Sequence, residues 1–174
     1  LYNKVNSIKI ENETVAKITG RIQDGAMAFL YAEYRLLSIF IVVVAAALFV
    51  GGEENGLGFE TMVAFIIGAL CSVAAGFSGM RSATSANGRT AQAAADGGQS
   101  AALTTSYNGG AVMGLAVGGL GLAGISLMFY LAETDFLDVE NIAGFGMGAS
   151  SIALFARVGG GIYTKAADVG ADLV

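Results

Sequence analysis

Four long apolar stretches dominate the pattern of the chain. They run from about 26 to 52, 61 to 83, 107 to 132 and 142 to 165. Each has close to the roughly 20 consecutive apolar residues that an α-helix needs to cross a bilayer. A membrane β-strand needs only about 10 residues of alternating polarity, and these stretches do not alternate. The pattern therefore predicts an all-α, polytopic membrane helix bundle with four transmembrane helices.

The first 25 residues are polar and mildly amphipathic. Apolar residues recur there at roughly helical spacing: Ile8, Ile10, Val15, Ile18 and Ile22. We expect a cytosolic surface helix that leads into the first span. The chain then divides into this lead-in, 1–25, and a transmembrane part, 26–174, whose last helix extends out of the membrane.

The basic residues predict the orientation, because cytoplasmic segments of membrane proteins carry the excess of Lys and Arg. All of them precede or open the first span, lie in the connection 81–106 or lie at the end of the fourth span: Lys4, Lys9, Lys17, Arg21, Arg35, Arg81, Arg89, Arg157 and Lys165. The connections 52–60 and 133–141 hold only acidic charges: Glu53, Glu54, Glu60, Glu133, Asp135, Asp138 and Glu140. We therefore place the first set in the cytosol and the other two connections outside.

Composition supports a membrane location and limits the chemistry. The residues AVILMFWYC make up 55% of the chain and DEKR only 13%, about half the share of charged residues in soluble domains. The chain has no His, so any metal needs oxygen ligands, which hard cations such as Mg²⁺ prefer. The one cysteine, Cys71, lies in an apolar stretch, and we expect a buried structural thiol.

Small residues recur every four positions in two of the spans. These are Gly68, Ser72 and Gly76 in the second span and Gly110, Gly114 and Gly118 in the third. In lipid, small residues at this spacing let helix backbones approach closely. We predict packing surfaces there, with a glycine hinge as the functional alternative.

The two ends have the features of a piece cut from a longer polypeptide. The sequence begins at Leu1, shows no signal-peptide pattern, and stops at Val174 inside a polar motif. We therefore expect its activity to depend on the remainder of the same polypeptide.

A stripe of charged residues continues the fourth span. On a helix, Arg157, Gly161, Lys165, Asp168 and Asp172 fall within about 80° of one another. Such a stripe is costly on a membrane helix unless it lines a polar cavity or site. Two carboxylates one turn apart can hold Mg²⁺, and a lysine one turn earlier can neutralise a phosphate oxygen. The set suits a magnesium–phosphate substrate.

Two other interpretations compete for this stripe. It could be a solvated helix end with charge pairs three and four residues apart, and the residue chemistry alone leaves this open. A phosphate-binding P-loop is excluded, because that motif needs Gly-Lys-Ser/Thr after a strand. Here Thr164 precedes Lys165, in a helix that leaves the membrane.

The run RVGGGIYTKAADVGADLV, residues 157–174, closely resembles the signature of membrane-bound, ion-translocating inorganic pyrophosphatases. The similarity extends upstream to 79–81, 86–90 and 109–114, and so covers most of the chain from the first span onward. The resemblance implies hydrolysis of pyrophosphate to two phosphates, coupled to pumping of H⁺, Na⁺ or both. It also implies roughly sixteen helices per subunit in two concentric rings, and a homodimer. This segment would be the second to fifth helices, the fifth in the inner ring.

By that resemblance, Lys165 contacts pyrophosphate, and Asp168 and Asp172 bind the magnesium–pyrophosphate complex. Arg157 belongs to a polar network that links hydrolysis to the ion path. Mg²⁺ is the implied cofactor, and K⁺ is a second one in some members. The carboxylates that complete the metal cage and position the attacking water are expected beyond Val174, as are the residues that select the pumped ion. No catalytic residue is therefore assigned within this chain.

The resemblance also implies a location and partners. The protein would be a multi-pass integral membrane protein with a cytosolic site, in the cell membrane of a prokaryote or a vacuolar or acidic-organelle membrane of a eukaryote. Its partners would be pyrophosphate, the lipid bilayer, a second subunit and the rest of the polypeptide, and no nucleic acid. The alternatives are a secondary transporter or channel that binds an anion on the stripe without hydrolysis, and a purely structural helical module.

The orientation can be tested by cysteine labelling of the intact protein in sealed cells. In a Cys71→Ala background, a cysteine introduced in 53–60 or 133–141 should react with an impermeant maleimide from outside. A cysteine introduced in 81–106 should react only after the membrane is opened. The reverse pattern would overturn the predicted orientation.

Overall fold

The computed structural model describes residues 1–52, 58–134 and 136–173, and all regular structure in these ranges is helical. The elements are α1 (Tyr2–Asn6), α2 (Glu13–Gly51), α3 (Gly58–Glu133), a 3₁₀ turn (Val139–Asn141) and α4 (Ile142–Asp172). Three of the described helices, α2, α3 and α4 together with the turn before it, are long and apolar enough to cross a membrane. The all-α polytopic class is thereby confirmed. Glu53, Glu54 and Asp135, used above to predict the outer connections, lie outside the described residues, as does Val174.

The second and third predicted spans both lie in α3, a 76-residue helix interrupted at Gly98. Gly98 has φ 69° and ψ −165°, a conformation that only glycine adopts without strain. Pairs on either side of this residue show that the chain reverses there. The Ser82 hydroxyl donates to the carbonyl oxygen of Gly109 at 3.0 Å, and Ala64 and Met128 share one buried cluster. The halves of α3 before and after Gly98 are therefore antiparallel.

The predicted connection 81–106 is not a loop, because α3 is helical throughout this range apart from Gly98. The apolar pattern ends near residue 83, but the residues that follow are rich in alanine, the strongest helix former. Helical structure therefore continues well beyond the apolar stretch.

The surface helix predicted in the lead-in, 1–25, is divided between α1 and the beginning of α2. After α1, the chain is not helical until α2 begins at Glu13, and α2 then continues without interruption to Gly51. Asn12 caps this helix, because its side-chain oxygen accepts hydrogen bonds from the backbone N–H groups of Thr14 at 2.9 Å and Val15 at 3.2 Å.

The chain packs as two compact units. Unit 1 comprises Leu1–Tyr31 and Ala75–Gly118, and unit 2 comprises Ala32–Ala74 and Gly119–Val174. Helices α2 and α3 contribute to both units, whereas α4 belongs to unit 2 alone.

In unit 2, α4 packs directly on the backbone of the first half of α3. A Cβ atom on Gly148 would overlap the carbonyl oxygen of Phe65, and one on Gly68 would overlap the carbonyl oxygen of Phe145. This confirms the predicted close packing at Gly68. Cys71 is half-buried and packs beside this contact, against the cluster that contains Phe145.

The other predicted packing surface has no neighbour among the described residues of this chain. No described atom lies within 4 Å of a Cβ built on Gly110, Gly114 or Gly118. The close contacts of the second half of α3 are made by Gly109 and Gly124 instead. Residues 109 and 110 differ by about 100° around a helix. Which of them contacts a neighbouring helix depends on the register of that helix, and the spacing of small residues does not specify this register.

Helix α2 joins unit 2 through a second buried cluster. Leu37 of α2, Ala69 of α3 and Ile152 of α4 are each less than a tenth exposed and pack together. The rings of Phe40 and Phe155 meet edge to face beside them, with centroids 4.8 Å apart. The three helices therefore share one apolar core in this unit.

A polar cluster connects the start of α3 to the segment before α4. A carboxylate oxygen of Glu60 accepts hydrogen bonds from the Asn141 side chain at 2.6 Å and from the backbone N–H of Asp138 at 3.0 Å. Thr61 in turn donates its hydroxyl to the side-chain oxygen of Asn141. Asn141 is only 2% exposed, so these bonds satisfy a polar side chain that water does not reach.

The glycine contact between α3 and α4 predicts opposite effects for two neighbouring substitutions. Gly148→Ala places a methyl group on the backbone of α3, and we expect a loss of about 1–3 kcal/mol in the free energy of unfolding. Gly146→Ala is the matched control, because a Cβ there meets no described atom within 4 Å, and we expect a gain of roughly 0.5–1 kcal/mol. Thermal unfolding of the intact protein in detergent, followed by circular dichroism, measures both. Equal shifts would contradict a backbone contact at Gly148.

Candidate functional site

Helix α4 carries all four charged residues of the predicted site. It is helical from Ile142 to Asp172, so the stripe has the helical spacing assumed from the sequence. Its buried residues all lie in the first part of the helix: Gly144, Phe145, Gly148 and Ile152. The part of the helix that carries the stripe is mostly exposed.

The charged stripe lies on the side of α4 opposite its packed face. Arg157, Lys165, Asp168 and Asp172 are all exposed. The centre of the stripe is about 150° around the helix from the buried residues. Packing against α3 therefore holds α4 in place and leaves the charged side chains free to meet other groups.

Asp168 and Asp172 fit a magnesium–phosphate complex better than an all-protein metal site. Within the described ranges, no group of three or more His, Cys, Asp or Glu residues could hold a metal ion. Mg²⁺ usually keeps several waters and binds through one or two carboxylates together with substrate phosphates. Two carboxylates one turn apart match that second arrangement.

The glycines between Arg157 and Lys165 leave space at the surface of the helix but supply no free hydrogen-bond donors. A Cβ on Gly160 or Gly161 would meet no described atom within 4 Å, so the helix surface is bare there. Backbone N–H groups inside a helix are already bonded to carbonyl groups four residues earlier. The carbonyl of Gly160 also accepts the Thr164 hydroxyl at 2.8 Å. A ligand or a neighbouring helix can therefore approach closely, and the cationic donors on this stripe are the side chains of Arg157 and Lys165.

Unit 1 contains a second group of polar side chains that was not predicted from the sequence. Arg81 and Arg89 were used above only to predict the orientation, yet both line a cavity with polar residues from α1 and α2. The available signal was their spacing, because residues eight apart lie within about 80° on a helix. The partners from α1 are distant in sequence and could not be identified from that spacing.

Glu33, a carboxylate inside the first predicted span, was also not predicted as a functional residue. One of its oxygens is buried and has no hydrogen-bond partner among the described residues. The neighbouring Tyr34 donates its hydroxyl to the carbonyl oxygen of Val73 at 3.2 Å. Ionisable side chains in membrane helices are rare and costly, so a Glu inside the first predicted span was the signal.

Comparison with known proteins gives a match over the whole chain. Residues 1–174 match the family model described as "Inorganic H+ pyrophosphatase". Over 163 residues the chain is 54% identical to a protein of Clostridium tetani named "Putative K(+)-stimulated pyrophosphate-energized sodium pump", covering 94% of this chain and 23% of that protein.

Two further relatives are named as proton pumps. The chain is 44% identical over 163 residues to a "K(+)-insensitive pyrophosphate-energized proton pump" of Methanosarcina mazei. It is 45% identical over 167 residues to a protein of the same name from Pyrobaculum aerophilum. Each alignment covers 94% of this chain and 23% of the relative. The chain thus spans about a quarter of the length of the curated relatives it matches.

Proposed function

The chain belongs to the inorganic H⁺ pyrophosphatase family, and on that premise we propose that it forms part of a membrane pump. The pump hydrolyses pyrophosphate with water to two phosphates and couples this reaction to transport of H⁺, Na⁺ or both. The observation that carries the proposal is the family match over all 174 residues. The relatives are named as pyrophosphate-energized pumps, which supports hydrolysis over the alternative of a transporter without it.

In this proposal the exposed end of α4 binds the substrate. Lys165 contacts a pyrophosphate oxygen, and Asp168 and Asp172 are the residues of this chain that hold Mg²⁺. When bound, the ion neutralises the charge of pyrophosphate and orients it. Phosphoryl transfer depends mostly on positioning and electrostatic stabilisation, so a rigid helix that presents these side chains at fixed spacing is a suitable platform.

The residues that activate the attacking water are assigned to the remainder of the pump. The stripe offers one lysine, one arginine and two carboxylates, all exposed and directed away from the packed face of α4. Such a surface becomes an enclosed site only when other helices cover it. We therefore propose that substrate binding is shared between this chain and further segments of the same polypeptide.

Arg157 has a different role because of its position on α4. It lies roughly 16 Å along the helix from Asp168, too far to contact the same metal ion. It also falls inside the fourth predicted span, where an ionisable side chain needs a polar pathway. We assign Arg157 to the coupling between hydrolysis and the ion path.

The finer features of the proposal follow the family. The pump is a homodimer in a lipid bilayer, with the α4 stripe on the cytosolic side, in the cell membrane of a prokaryote or a vacuolar or acidic-organelle membrane of a eukaryote. Mg²⁺ is its metal cofactor. The name of the Clostridium tetani relative includes K⁺ stimulation, which supports K⁺ as a second cofactor in part of the family.

Substitution of either aspartate tests the substrate site. Asp168→Asn or Asp172→Asn removes a charged ligand, and we expect pyrophosphate hydrolysis by the intact pump to fall at least ~100-fold. Excess Mg²⁺ should restore it only in part. Asp24→Asn, the same chemical change at an exposed aspartate of unit 1, is the matched control. If the stripe were only a solvated helix end, each substitution would cost only about 0–1 kcal/mol. Near-normal hydrolysis in both α4 variants would therefore exclude this stripe from the active site.

Substitution of Arg157 tests the coupling. In vesicles of the intact pump, Arg157→Ala should reduce ion uptake at least as severely as hydrolysis and leave magnesium–pyrophosphate binding intact. Arg157→Lys keeps the charge and should retain more uptake. Hydrolysis and uptake are measured side by side in the same vesicles. A loss confined to substrate affinity, with normal uptake per pyrophosphate hydrolysed, would place Arg157 in the substrate site instead.

A further inference from the structure

Unit 1 contains an open cavity of about 330 Å³. This volume is within the range of small-molecule binding sites, roughly 300–1,000 Å³. The lining residues come from α1, the first half of α2 and the part of α3 before Gly98: Tyr2, Asn6, Gln23, Met27, Arg81, Thr84, Ser85 and Arg89. Two of them are arginines and none is acidic, so the cavity carries a net positive charge.

Arg89 is held at this cavity by neutral groups. Its Nε donates to the carbonyl oxygen of Ile8 at 3.2 Å, and its Nη1 donates to the carbonyl oxygen and the hydroxyl of Ser85 at 2.7 and 2.9 Å. The Ser85 hydroxyl in turn donates to the side-chain oxygen of Asn6. These bonds fix the guanidinium group in position, and within the described part of the chain its Nη2 has no acceptor.

Arg81 reaches the cavity from two turns earlier on α3. Its guanidinium carbon lies 5.9 Å from the centroid of the Tyr2 ring, which is a cation–π contact. Arg81 and Arg89 are separated by about 80° around the helix and roughly 12 Å along it, and Ser85 lies midway between them. No carboxylate of the described residues is within ion-pair distance of either guanidinium group. Two positive charges therefore line one cavity without a counter-charge from the residues that the structure describes.

We propose that this cavity binds a phosphate group, at a site that shares no residue with the stripe on α4. The planar guanidinium group suits phosphate, because it can donate two parallel hydrogen bonds to neighbouring phosphate oxygens. The hydroxyl of Tyr2 and the side-chain amide of Gln23 offer further neutral donors. A cation is disfavoured as the ligand, because the lining carries two positive charges and no negative one.

A phosphate group can reach this cavity from two sources. Gln23 and Met27 lie at the start of the first predicted span, and Arg81 lies at the end of the second. The cavity is therefore at the depth expected for phospholipid headgroups on the cytoplasmic side, where basic side chains attract anionic lipids. Inorganic phosphate in the cytosol presents the same chemistry.

The test compares the two sources with the purified intact protein. In one arm, binding of radioactive inorganic phosphate is measured by equilibrium dialysis in buffer without Mg²⁺, so that the aspartates of α4 hold no metal–phosphate complex. In the other arm, native mass spectrometry measures lipid retained from nanodiscs of phosphatidylcholine alone or mixed with phosphatidylglycerol. Binding in the first arm identifies free phosphate, and selective retention of phosphatidylglycerol identifies a headgroup.

The variants separate this site from general attraction to basic surface. Arg81→Gln should weaken binding at least ~10-fold, about 1.4 kcal/mol, and Arg81→Lys should recover part of it. Arg21→Gln removes the same charge from an exposed residue of unit 1 that does not line the cavity, and it should bind normally. Arg89→Gln should also lose binding. If it fails to fold, Arg81 still decides the outcome, because its guanidinium group contacts the Tyr2 ring and donates no hydrogen bond to the other described residues.

The proposal is overturned by either of two results. One is the absence of binding to the unsubstituted protein in both arms. The other is an equal effect of Arg81→Gln and Arg21→Gln in the arm that shows binding. Size-exclusion chromatography of each variant confirms that the protein compared is folded.

Discussion

The contact on which unit 2 depends is the direct approach of two helix backbones. Gly148 of α4 rests on the carbonyl oxygen of Phe65, and Gly68 of α3 rests on that of Phe145. In lipid, apolar side chains gain little by leaving the tails, so association depends on how closely the helices can pack. This contact also determines which side of α4 remains exposed. With its glycine face against α3, the charged side of the helix is directed away from the core of the unit.

Most of the helical architecture could be predicted from apolar length, because a bilayer requires about 20 apolar residues from each spanning helix. Residues 81–106 depart from this rule. Membrane thickness does not limit a helix once it has left the bilayer, and the alanine-rich sequence there keeps it helical up to and beyond Gly98. The packing face was predictable at Gly68 and not at Gly110, since small residues at regular spacing define a possible surface but not its neighbour.

The candidate site was predictable to a similar extent. The helical spacing of Lys165, Asp168 and Asp172 follows from the sequence alone, and α4 is helical over all three. The partners of these side chains could not be predicted, because an exposed stripe is completed by groups that the stripe itself does not specify. The cavity beside Arg81 was missed for a related reason. It depends on contacts such as Arg89 with Ile8, which are 81 residues apart in sequence, and helical periodicity contains no information about pairs at that separation.

The break in α3 has a consequence for how the protein meets proteases. Gly98 is the one residue with non-helical backbone angles between Gly58 and Glu133, so the reversal exposes almost no extended chain. Proteases need several residues of pliable backbone in the active-site cleft, and they cleave mainly at exposed loop tips and chain termini. A hairpin of two helices joined at a single glycine offers no such segment. We therefore expect proteases on the cytosolic side of the membrane to leave the second and third spans joined. The two spans cross the membrane in opposite directions in the predicted topology.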